Sequence, residues 1–129
     1  MNVTTDQLLQ LLNIGHDTSR RGAGISLRDA LARADFGLIR REVCSADLLP
    51  FLKADPGIVK QWLLYCDDKR TNGGYWVSRE TFCIGSVEVP DFKLQFDTIE
   101  EAVAEYVIRE LDFWWRIGGQ PVMMTRLAP

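Results

Sequence analysis

Between Pro90 and Trp114 the apolar residues change their period from two to about three and a half, and that change constrains the C-terminal half more than any other feature. Phe92-Lys93-Leu94-Gln95-Phe96 alternates strictly, as a strand does with one face buried and the other wet. Thr98 and Glu101 then stand at capping-box spacing. Val103, Tyr106, Val107, Leu111 and Trp114 trace one apolar stripe, predicting a helix from Thr98 to about Arg116 that Gly118-Gly119 ends. Glu105–Arg109 and Asp112–Arg116 are i, i+4 pairs of favourable orientation, each contributing a few tenths of a kcal/mol. A one-sided strand followed at once by a one-sided helix buries both faces by packing the helix on the sheet.

Upstream, Asn72-Gly73 is the strongest short hairpin signal, since both residues accept positive φ. Tyr75-Trp76-Val77 follows it, Thr81 to Val89 is rich in β-branched and aromatic types, and Pro90-Asp91 marks a turn. The first half reads as helices. Thr4 and Gln7 cap a helix from Thr5 to Ile14 that Gly15 ends, and the polar stretch from His16 to Gly24 reads as a loop. Ser26 starts a second helix with Leu27, Ala30, Leu31 and Ala34 on one face. Ser45 caps a third through Leu52, with a kink or break expected at Pro50. Asp55-Pro56 restarts a helix that carries Ile58, Val59, Trp62 and Leu63, and periodicity leaves residues 62–69 open between helix and strand. The expected fold is α+β: N-terminal helices, an antiparallel meander of three to four strands, and one long C-terminal helix on the sheet. Residues 1–129 are expected to form a single domain, a length that buries roughly two-thirds of the unfolded chain's surface.

Three cysteines stand far apart at Cys44, Cys66 and Cys83, which is no disulfide framework, and burial as small hydrophobes is the default for each. The first residues carry no basic region and no long apolar run, so a cytoplasmic location without membrane association is expected. Net charge is −3, and residues 91–112 carry 7 acidic against 2 basic side chains. Such a field repels phosphate backbones, which disfavours nucleic acid, and attracts cationic partners.

Candidate chemistry is sparse. His16 is the only histidine, and it stands at a helix end beside Asp17, where imidazole commonly bonds terminal carbonyls. No CxxC or HxxxH spacing points to a metal, and Asp67-Asp68 on a strand would diverge. No cofactor and no catalytic residue is expected. Arg20-Arg21-Gly22-Ala23-Gly24 ahead of Ser26 is the anion-binding candidate: two guanidiniums, glycines and a helix N-terminus could cradle phosphate or carboxylate, against the bland reading of a solvated loop. Trp114 and Trp115 are about 100° apart on the last helix, so one ring falls at the core edge or on the surface. With Glu101 and Glu105 they form the partner-interface candidate, on a helix that also carries Glu100, Glu110 and Asp112.

These residues favour a non-catalytic interaction or inhibitor module over an enzyme. The small acidic build resembles, at the level of class, a bacterial immunity protein that masks a cationic toxin. One alternative takes Ser45 to Val77 as two helices and a hairpin, which resembles a winged-helix order with Lys69-Arg70 at the hairpin tip. The other is a small-ligand protein built on the Arg20–Gly24 loop, for which a deep pocket holding His16 and Arg21 would be the mark.

Overall fold

The computed structural model of the chain describes residues 3–18, 26–68 and 73–119. Helix α1 (Thr5–Leu12) opens on the expected capping box. The Thr4 hydroxyl accepts from the Gln7 amide at 3.1 Å, and the Gln7 side chain accepts from the Thr4 amide at 2.8 Å. Gly15 does not end this helix. It lies buried inside a second short one, α2 (Ile14–Thr18), because the indole of Trp62 fills the space its side chain would need. A Cβ at Gly15 would stand 2.9 Å from Trp62 Cδ2. The same indole donates its N–H to the Leu12 carbonyl at 2.8 Å, one of the carbonyls that the end of α1 leaves free. His16 and Asp17 are therefore helical rather than part of a loop.

Helix α3 (Leu27–Arg33) begins where the spacing places it, with the Ser26 hydroxyl accepting from the Asp29 amide at 3.1 Å. Asp35, at φ 54°, turns the chain into α4 (Phe36–Ile39). Helix α5 (Ser45–Ala54) is capped from Cys44 rather than Ser45: the Asp47 carboxylate accepts from the Cys44 amide at 2.9 Å. Pro50 neither breaks nor ends it, and the helix continues to Ala54. The burial of Leu48 and Leu52 on either side of the proline outweighs one missing backbone hydrogen bond. Asp55 then caps α6 (Pro56–Asp68), its carboxylate accepting from the Gly57 amide at 2.9 Å. The open question over residues 62–69 resolves as helix through Asp68, held by the buried stripe Val59, Trp62 and Tyr65.

Of the expected Asn72-Gly73 hairpin, Asn72 and the three residues before it lie outside the described residues; the described chain is helical through Asp68 and enters β1 (Tyr75–Val77) after Gly74. The first described hairpin joins β1 to β2 (Cys83–Ser86) through Ser78–Phe82. The Ser78 carbonyl accepts from the Phe82 amide at 2.9 Å, and Phe82 takes φ 57°. A phenylalanine there is strained; its ring packs against the core, which offsets the backbone energy. β3 (Lys93–Gln95) completes a three-stranded antiparallel sheet in the order β1-β2-β3, with Trp76 opposite Gly85 and Ile84 opposite Leu94. Lys93 and Gln95 are exposed while Phe92, Leu94 and Phe96 are half-buried, as the alternation requires.

Helix α7 (Ile99–Trp114) starts at the predicted cap, the Thr98 hydroxyl accepting from the Glu101 amide at 3.2 Å. A π-helical segment, Trp115–Gly119, continues it. Its Val103, Tyr106, Val107 and Leu111 are fully buried, and it packs on β1 and β2 as expected. It is more than a cover for the sheet. Ala102, Ala104 and Glu110 are buried too, because α5 and α6 pack against it as well. The core is one cluster in which Leu11, Leu31, Ile39, Leu52, Trp62 and Ile84 converge with this helix. Among the described residues no helix is long and apolar enough to cross a membrane.

Candidate functional site

The C-terminal end of α7 gathers most of the aromatic side chains left half-buried. Phe113 stands edge-on to Trp114 (centroids 4.9 Å) and to Tyr75 (6.4 Å), and Tyr75 stands edge-on to Phe92 (6.0 Å). The Arg109 guanidinium covers the other reach of Phe92, 4.9 Å from its centroid. About 100° around the helix, Trp115 meets Phe36 edge-on at 6.0 Å. It also lies so close to Gly37 that a Cβ there would fall 2.7 Å from the indole. Arg40, one turn on from Phe36, donates its Nε to the Asp112 carboxylate at 2.7 Å and ties α4 to α7.

Beneath this end sits a carboxylate that the sequence reading placed on an acidic surface. Glu110 is 0% exposed. Its Oε2 accepts from the Tyr65 hydroxyl at 2.9 Å and from the Trp114 indole N–H at 2.8 Å, and its Oε1 accepts from the Tyr75 backbone amide at 2.8 Å. Gly74, at φ 76°, lets the strand entrance approach, since a side chain there would collide with the carboxylate. One acid thus joins α6, α7 and β1. Burial, and then the adjacent Glu110 carboxylate, push the Tyr65 hydroxyl well above the ordinary tyrosine range, so it remains a donor. Burial does the same to Tyr106. A signal for Glu110 was present: it stands three, four and seven residues from Val107, Tyr106 and Val103, inside the apolar stripe.

The partner-interface candidates divide accordingly. Trp115 and Trp114 belong to this end, Trp114 with its N–H committed to Glu110. Glu101 lies near the start of α7, hydrogen-bonded to the Thr98 hydroxyl at 3.1 Å, and Glu105 pairs with Arg109 at 2.7 Å. Nine residues of helix separate Glu105 from Trp114, or roughly 13 Å, so the acids and the tryptophans do not converge. Of the anion-binding candidate, Ser26 caps α3, while Arg20, Arg21, Gly22 and Gly24 lie outside the described residues.

His16 is exposed and lies 3.4 Å from the Asp17 carboxylate. It borders a shallow cleft of about 260 Å³ shared with Asn13, Asp55 and Gln61, below the roughly 300–1,000 Å³ of small-molecule pockets. Lys69 and Arg70, the proposed phosphate contacts of the winged-helix reading, also lie outside the described residues. The tip of the observed hairpin carries Arg79 and Glu80 instead, with Arg79 bound to Asp67 at 2.6 Å. Asp67 and Asp68 close α6 rather than sitting on a strand. Cys44 is exposed, and Cys66 and Cys83 are half-buried, where full burial was the default expectation. Among the described residues no three His, Cys, Asp or Glu side chains gather as a metal site would need. Comparison with protein-family models, with curated protein sequences and with solved structures found no match.

Proposed function

We propose that the chain is a non-catalytic protein-interaction module that docks through the C-terminal end of α7. The observation that carries this reading is the placement of the large exposed hydrophobics among the described residues. Leu38 (68% exposed) directly follows Gly37, which abuts Trp115, and Ile117 (49%) lies two residues beyond that tryptophan. Val87 (43%) and Val89 (55%) occupy the β2–β3 turn. Glu88 of that turn converges with Trp114 and Phe113 within 3.2–3.4 Å of the point where a Gly73 Cβ would stand. Exposed apolar groups bordering half-buried aromatics, with charges outside them, make the anatomy of an interface core and rim. Single exposed hydrophobics scattered over a surface would have carried no such meaning.

The charges at this end are mixed. The α7 acids of the sequence reading are buried at Glu110 and paired with Arg109 and Arg40 at Glu105 and Asp112, so we place the recognition energy on the apolar end. The test is affinity capture from the native cell with the wild-type chain and with Leu38→Glu/Ile117→Glu as parallel baits. A protein retained in stoichiometric amount by the first and lost by the second, at unchanged melting temperature, supports the reading. Identical retention by both baits, or none by either, refutes it.

A further inference from the structure

We draw no further inference here: the strongest candidate, the sheet face on which the Trp76 indole lies across Gly85 with Lys93 opposite that glycine on β3, is an aromatic surface for which nothing in the structure shows what covers it.

Discussion

Replacing Glu110 by glutamine changes one buried oxygen into an NH2 group and nothing else in size. Three donors aim at the two carboxylate oxygens: Tyr65 Oη and Trp114 Nε1 at one, the Tyr75 amide at the other. A glutamine can accept from only one of these two directions. If its oxygen faces Tyr65 and Trp114, its NH2 meets the Tyr75 N–H. If it faces Tyr75, the NH2 meets the indole N–H, while the Tyr65 hydroxyl can rotate to accept. Either way one part-buried N–H loses its acceptor and faces the buried amide, for about 1–3 kcal/mol. For 129 residues the unfolding entropy is roughly 0.27 kcal/mol/K, so the melting temperature should fall by about 4–11 °C. Glu110→Ala leaves three donors and a cavity, and should cost about 3–5 kcal/mol. Urea unfolding followed by both far-ultraviolet circular dichroism and tryptophan emission measures each value, with Trp114 as a local reporter. Tyr65→Phe completes a double-mutant cycle, in which a coupling of about 0.5–3 kcal/mol with Glu110→Gln is expected. A Glu110→Gln variant within about 0.5 kcal/mol of wild type, or a coupling of zero, would falsify the account of Glu110 as the joint between α6, α7 and β1.

Two further outcomes follow from the core. Gly15→Ala gains about 1 kcal/mol of helix propensity but drives a methyl group into the fixed indole of Trp62, so a net loss of about 1–2 kcal/mol is expected by chemical denaturation, and a stabilised variant would show the indole free to move. Tyr65 and Tyr106 both have hydroxyl pKa values raised by burial, so their contribution is fully present below pH about 10 and is lost as pH rises above it, by about 1.4 kcal/mol per pH unit for each. Unfolding midpoints between pH 9 and 11.5 should fall with that combined slope, less steeply in Tyr65→Phe, and tyrosinate absorbance from these two rings before unfolding would contradict it.

What the residues determined alone was local. Capping geometry at Thr4, Ser26, Asp55 and Thr98 needs only a side-chain oxygen and an amide two or three residues away, so four helix starts were readable from spacing. The alternation of Phe92 to Phe96 and the stripe through Leu111 gave the α+β class by the same logic, since periodicity records which face is dry. Tertiary structure decided where one signal had two physical causes. Gly15 reads as a helix end because glycine frees the backbone, yet its role is to make room for Trp62, fifty residues from Leu12, whose carbonyl that indole binds. Residues 62–68 read equally as helix or strand, and the stripe Val59, Trp62 and Tyr65, buried against the rest of the core, makes them helix. Glu110 reads as solvated charge until Tyr65, Trp114 and the Tyr75 amide arrive from three elements to enclose it. Each of these depends on groups distant in sequence converging on one point; the period of α7 places Glu110 on the dry face, but the partners that satisfy it there, like the indole that claims the space at Gly15, leave no period in the chain to read.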